Sequence, residues 1–253
     1  MKSMDLNCDM GEVPETVADG TQESLMPFLT SINIACGGHA GDEETMAATI
    51  EQALRWKLAI GAHPGYADRA NFGRIELDIT PEAVSESVFQ QVQTLAKVAA
   101  SFDLRLAHVK PHGALYNQAV HNRELAAAIA KGVARWSREV VLVGLASSPM
   151  LEVFREAGFA VAAEAFADRR YERDGTLRSR KFADALIRDP AEAARQVLSL
   201  VEDGSIVASD GSVVAVDART ICIHSDTPGA VQIAAAVASA LREAGVVLRA
   251  VGR

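Results

Sequence analysis

Short apolar runs alternate with amphipathic, helix-length segments along the whole chain, and that alternation leaves few folds open to it. The stretch from Ser31 to Tyr66 contains the pattern in miniature. An apolar run over 32–36 breaks at Gly37-Gly38 and delivers His39. A helix is predicted from about Asp42 to Lys57, and a second apolar run over 58–62 ends at His63, where Pro64-Gly65 stops it. Strands joined by crossovers of this length pair in parallel.

The same reading predicts strands over 4–8, 104–110, 140–144, 159–164 and 220–226. Helices are predicted over 22–29, 80–102, 123–136, 149–157, 190–202 and 228–243. Thr80-Pro81-Glu82 is a helix start, with a hydroxyl cap, proline in the first turn and an acid behind it. Residues 205–217 read as a hairpin turning at Asp210-Gly211, and the tail 245–253 as an edge strand. No repeat or linker divides the chain, so 1–253 is expected to be a single (β/α)7-barrel domain.

The choice of a barrel over an open sheet rests on polar alternation. Strands covered by helices on both faces of an open sheet read as continuous apolar runs. Here Asp5, Asn7 and Asp9 share one face of the first strand, His108 and Lys110 one face of the fourth, and Cys222, His224 and Asp226 one face of the seventh. Polar stripes of this kind suit the lining of a lumen. The expected fold is therefore α/β, a seven-stranded (β/α) barrel that is distorted or incompletely closed.

Composition excludes some functions. A net charge of −8 disfavours a nucleic-acid partner, which needs a basic surface. The three cysteines are far apart and suggest no disulfide framework, which agrees with a reducing cytoplasm. The N-terminal MKSMDLNCDMGE has no apolar core for a signal peptide, and no apolar run reaches the roughly 18 residues of a membrane span. A soluble, cytoplasmic protein is expected, with homodimerisation kept open.

Six of the seven predicted strands end in titratable side chains: Asp9, His39, His63, Lys110 with His112, Glu164, and His224 with Asp226. Sites of parallel barrels are built at these C-terminal ends. Asp9, His39 and His63 make a facial metal triad, or else hydrogen-bond substrate without metal. Lys110 either stabilises an anion in a confined pocket or pairs with a lumen acid such as Asp9 or Glu164. Tyr116 either donates its phenol to the site or packs its helix. Segment 168–181 holds six cations and three anions and reads as a lid over an anionic ligand or as a solvated loop. Cys36-Gly37-Gly38-His39 is a candidate anion nest. No phosphate-binding P-loop or dinucleotide fingerprint is present, so any nucleotide site would be non-standard.

The strings DLNCDMGE, SINIACGGHAGDEETM, GAHPGYADRANFGR, HVKPHGALYN and AEAFADRRYERDGTL, in this order, resemble the LamB/YcsF family. The resemblance implies the A component of a prokaryotic 5-oxoprolinase, working with B and C subunits. It implies ATP-dependent opening of the lactam of 5-oxo-L-proline to L-glutamate, with ATP and Mg2+ as co-reactants. It also implies a seven-stranded barrel akin to glycoside hydrolase/deacetylase domains. On chemical grounds, Lys110 and Arg169, Arg170 and Arg173 would neutralise phosphate charge. Asp9, His39 and His63 would hold a divalent metal or position water, and Glu164 or His224 would move protons, with His112, Asn7, Tyr116 and Asp226 completing the site. The alternative is an autonomous metal-dependent amide hydrolase or deacetylase using Asp9, His39 and His63.

Overall fold

The alternation in the first strand is realised over Ser3–Met10 (β1), whose residues from Met4 onward are all buried. The computed structural model describes residues 2–252; Met1 and Arg253, the two ends of the expected domain, lie outside the described residues. Six further parallel strands complete a ring with β1: β2 (Ser31–Ala35), β3 (Ala59–His63), β4 (His108–Val109), β5 (Val141–Leu145), β6 (Ala160–Phe166) and, after a hairpin of β7 (Ser205–Val207) and β8 (Val213–Ala215), β9 (Thr220–Cys222). Their order is β1-β2-β3-β4-β5-β6-β9, and β9 pairs back onto β1 at Asp5↔Thr220, Leu6↔Ile221 and Asn7↔Cys222. The expected seven-stranded barrel forms and its ring is closed, so of the two departures allowed for, distortion or incomplete closure, the second does not occur. The tail contributes β10 (Val247–Leu248), parallel to the start of β1.

Helices cover the outside: α1 (Pro14–Ala18), α2 (Glu43–Arg55), α3 (Pro81–Ala100), α4 (Gly113–Ala119), α5 (Arg123–Trp136), α6 (Pro149–Glu156), α7 (Pro190–Glu202) and α8 (Ala230–Glu243). Local chemistry sets several of their starts. Asp42 and Thr45 form a capping box at α2, Thr80 accepts from the Ala83 amide at α3, and Asn122 caps α5. Two helices escaped the sequence reading. Pro14 occupies the first turn of α1, where its missing N–H costs nothing, and Gly113, at φ 53°, turns the chain into α4. The predicted fourth strand shrinks to two residues, although bonds from Ala107 to Ile60 and from Lys110 to Ala62 carry its pairing one residue further each way. The 205–217 hairpin forms as expected, with Gly211 at φ 84° in its turn. Among the described residues no helix is long and apolar enough to cross a membrane.

Leu6, Cys8, Ile32, Ile34, Ile60 and Ala62 alternate with the polar stripe and join the core shared with the helices. The stripe itself faces the lumen, because its bonds link strands that are not neighbours. His108 on β4 reaches Asn33 on β2 at 2.7 Å, and Lys110, one residue past β4, reaches Asp9 on β1 at 3.0 Å and Glu164 on β6 at 2.9 Å. Gly61 on β3 makes room for this. A Cβ there would lie 2.2 Å from His108 Nε2. Gly61→Ala is expected to destabilise the protein by about 1–3 kcal/mol through overpacking, and His108→Ser in the same chain to restore part of the loss. Chemical denaturation of the single and double variants checks both.

Candidate active site at the barrel mouth

The site rises in layers from the lumen. At the bottom, Asp5 accepts hydrogen bonds from Thr30, Ser31 and Thr220; burial outweighs them and raises its carboxyl above the usual range. Above it, Asn33 donates to Asn7 Oδ1 at 2.7 Å and to Asp9 Oδ1 at 2.8 Å, and Asn7 donates to Glu164 at 3.1 Å. Every amide in this layer has a carboxylate or carbonyl partner, as burial demands.

Lys110 is the centre of the next layer. Its ammonium lies 3.0 Å from Asp9 Oδ1, 2.9 Å from Glu164 Oε1 and 3.2 Å from the Cys222 thiol. Burial alone would strip its proton, but the charges of Asp9 and Glu164 hold its pKa well above the usual range. Burial likewise works against Asp9, yet His63 and Lys110 hold its carboxyl well below the ordinary value. The result is a buried cation between two acids. Tyr116 closes the layer by donating to Glu164 Oε2 at 2.9 Å.

His108 beneath Lys110 is pushed down to about 3 by burial and by the ammonium. A neutral histidine held this way makes stability pH-dependent. Below about 6.5 the unfolded chain takes up a proton that the folded chain refuses until about 3, so stability falls as pH drops through that window. The slope is about 1.4 kcal/mol per pH unit for one group. His108→Gln should flatten this limb, which denaturation midpoints measured between neutral and acidic pH would reveal.

A second cluster stands beside the first. Gly11, at φ 73°, turns the chain after β1 so that Glu12 meets the histidines. Glu12 Oε1 lies 3.0 Å from His39 Nε2 and 3.2 Å from His112 Nδ1, and His112 Nδ1 is 3.0 Å from His63 Nε2. Burial lowers His39 to about 4; the close approach of His112 and His39 overcomes burial at Glu12 and holds it well below the carboxylate range. The Asp9/His39/His63 triad is therefore regrouped: His39 and His63 converge with His112 on Glu12, while Asp9 turns toward Lys110 and keeps only a 3.3 Å approach to His63.

These layers open into a cavity of about 660 Å³ lined by Asp9, Glu12, His63, Lys110, His112, Tyr116 and the buried Arg169, with the exposed Arg74, Arg180 and Lys181 toward the rim. Asn7, His39 and Glu164 are bonded to its lining from behind. His224 lines the cavity too, but its Nδ1 is 3.0 Å from Asp168 and its ring stacks on Phe166. Asp226 binds Arg74 at 2.8 Å and Arg180 at 2.9 Å.

Two of the expected phosphate-binding arginines stand elsewhere. In an extended segment neighbours face opposite ways, so Arg169 is buried at the cavity while Arg170 pairs with Glu192 of α7 at 2.6 Å. Arg173, at the tip of the turn after Tyr171, is absent from the cavity wall. Segment 168–181 does form one wall, through Arg169, Thr176, Leu177, Ser179, Arg180 and Lys181. The glycine turn before His39 is not open for an anion nest, since a Cβ on Gly38 would sit 2.2 Å from Gln91 Oε1. Burial raises Cys36 to about 12, so its thiol stays protonated. Glu12 and Arg74 went unnoticed in the sequence as site residues, and Arg180 and Lys181 entered only as members of the 168–181 segment. The one local signal for Glu12 was its position just past a strand-ending glycine.

The chain is similar over its whole length to several known proteins. A Chloroflexus aggregans protein, named as the A component of 5-oxoprolinase, is 48% identical over 249 residues, covering 98% of this chain and 99% of that one. The protein of the same name from Bordetella pertussis is 46% identical over 248 residues, 98% of each. The crystal structure of the lactam utilization protein from Thermus thermophilus superposes with a TM-score of 0.91 at 42% identity, covering 99% of this chain and 100% of that one. The model of the LamB/YcsF family matches residues 4–253, and the chain belongs to that family.

Proposed function

We propose that this chain is the A component of an ATP-dependent 5-oxoprolinase, and that the barrel mouth is where the lactam of 5-oxo-L-proline is opened to L-glutamate. The observation that carries the reading is full-length identity of 43–48% to proteins bearing that name. The B and C subunits are its partners, MgATP is the phosphoryl donor of the assembled enzyme, and residues 1–253 act as one barrel domain.

The chemistry fits the residues. A five-membered lactam is an unreactive amide, and phosphorylation of its oxygen creates a leaving group and an electrophilic carbon. Water then adds to that carbon, the C–N bond breaks as the ring nitrogen takes up a proton to give the amine, and a second water hydrolyses the acyl phosphate so formed, releasing inorganic phosphate and the side-chain carboxylate of glutamate. Asp9, ionised at the cavity floor, accepts the proton from the attacking water. Lys110 faces the oxygen that gathers negative charge, where a pre-oriented cation stabilises the transition state. Tyr116 and Glu164 orient Lys110 and offer a proton path to the leaving nitrogen. Arg169, whose buried Nε has no partner, supports binding of the substrate carboxylate or of phosphate, together with Arg180 and Lys181 at the rim.

The test is reconstitution. The chain is mixed with its two partner subunits, MgATP and 5-oxo-L-proline, and glutamate and ADP are measured together. Equal amounts of both are expected, and none of the glutamate when this chain is left out. Full glutamate production without it would overturn the reading.

A further inference from the structure

We propose that Glu12, His39, His63 and His112 bind one divalent transition-metal ion, with zinc as the reference probe. Four consecutive strand ends supply the set: Glu12 follows β1, His39 follows β2, His63 closes β3 and His112 follows β4. These four are also close enough in space to share one ion.

Tautomers carry the first part of the case. His63 Nδ1 lies 2.7 Å from the Lys110 carbonyl, and His112 Nε2 lies 2.9 Å from the Phe72 carbonyl. A carbonyl oxygen only accepts, so each ring places a proton on its outer nitrogen. The inner nitrogens, His63 Nε2 and His112 Nδ1, then face each other at 3.0 Å as two lone pairs unless something positive lies between them or beside them. Orientation of a metal-binding imidazole by a backbone carbonyl on its far nitrogen is the recurrent outer-shell arrangement of such sites.

Spacing carries the second part. Glu12 Oε1 is 3.0, 3.2 and 3.9 Å from the nitrogens of His39, His112 and His63. Donors about 2.0–2.2 Å from a tetrahedral zinc stand roughly 3.3–3.6 Å apart, so these separations bracket that polyhedron. The rings are also held in place. His39 and His112 stack with centroids 3.6 Å apart and planes at 4°, so one of the two rings must tilt for both in-plane lone pairs to meet one ion, and a Cβ at Gly65 or Gly73 would lie 2.8 or 2.7 Å from His39. Nearby cations are committed elsewhere, Lys110 to Asp9 and Glu164, and Arg74 to Asp226.

Three imidazoles and one carboxylate suit a borderline ion such as zinc or another first-row transition metal better than magnesium or calcium, which prefer all-oxygen shells. Because Glu12, His63 and His112 also line the cavity, an ion held there would meet a bound substrate. The chemistry it supplies is Lewis acidity, including acidification of a coordinated water.

The experiment uses the isolated full-length chain, stripped with a chelator and confirmed folded by circular dichroism. Zinc binding is followed by titration calorimetry and thermal shift, and cobalt(II) replaces zinc for a visible spectrum. One zinc per chain is expected, together with a rise in the unfolding midpoint and a tetrahedral cobalt band. Glu12→Gln and His112→Asn should each weaken binding by at least tenfold, His121→Ala should leave it unchanged, and millimolar magnesium should not compete. Failure of the folded wild-type chain to bind zinc would overturn the proposal, as would binding that survives both substitutions or yields to magnesium. Because neither substrate nor the partner subunits enter the assay, its outcome is separate from that of the reconstitution.

Discussion

Lys110→Met is expected to cost the protein about 3–5 kcal/mol of stability, the range for breaking a buried ion pair from one side. The reason is electrostatic. Lys110 is the only cation within reach of both Asp9 and Glu164 among the described ion pairs, and its removal leaves the buried Glu164 without a countercharge and Asp9 with His63 alone. Glutamate formation by the reconstituted enzyme should fall by about 10²–10³-fold as well, the usual loss for one transition-state charge partner. The two effects separate in Lys110→Met/Glu164→Gln. The neutral amide removes one stranded charge and keeps the hydrogen bonds to Asn7 and Tyr116, so much of the stability should return while activity stays low. Urea midpoints and coupled glutamate and ADP assays read the two quantities. A stable, fully active Lys110→Met would contradict the assignment of Lys110 to the reacting centre.

Asp9→Asn is the complementary test, because it changes chemistry with little change in shape. The amide oxygen can still accept from Asn33 and Lys110, which now meet Asp9 Oδ1 at 2.8 and 3.0 Å. What disappears is the ionised oxygen facing His63 and the cavity. A lost general base costs about 10²–10⁴-fold in rate. The fall should appear in kcat for glutamate release, with the folded fraction by circular dichroism unchanged. A rate equal to that of the parent enzyme would remove Asp9 from the proton-transfer role.

Local features of the chain were readable before the fold was known. Asp42 and Thr80 cap the helices they were expected to start, because a cap is an interaction over three residues and carries its own geometry. The alternation Asp5-Asn7-Asp9 indicated a lumen face for the same reason: period two belongs to the strand itself. The arginine segment shows the limit. Composition marked it as a cationic wall, yet its pairing across Arg169↔Leu186 and Tyr171↔Leu177 decides which side chains face inward. Arg169 does, while Arg170 lies against α7 and Arg173 stays at the tip.

Partner choice at the strand ends was beyond local reading. Asp9, His39 and His63 were grouped as a metal triad or as a metal-free substrate-binding set, and the same residues regroup once Glu12 and His112 enter. Glu12 is only three residues past Asp9, but a left-handed Gly11 sends it to a different set of neighbours.

From the sequence alone came seven strands, their helical crossovers, the polar lumen and the family. The tertiary structure decided that the ring closes through β9 on β1, that Lys110 belongs to Asp9 and Glu164, and that three histidines gather on one carboxylate. The physical reason is range. Caps and alternation are set by neighbours a few residues away, whereas closure and ion pairing depend on the stagger between strands far apart in the chain, which only the packed barrel sets.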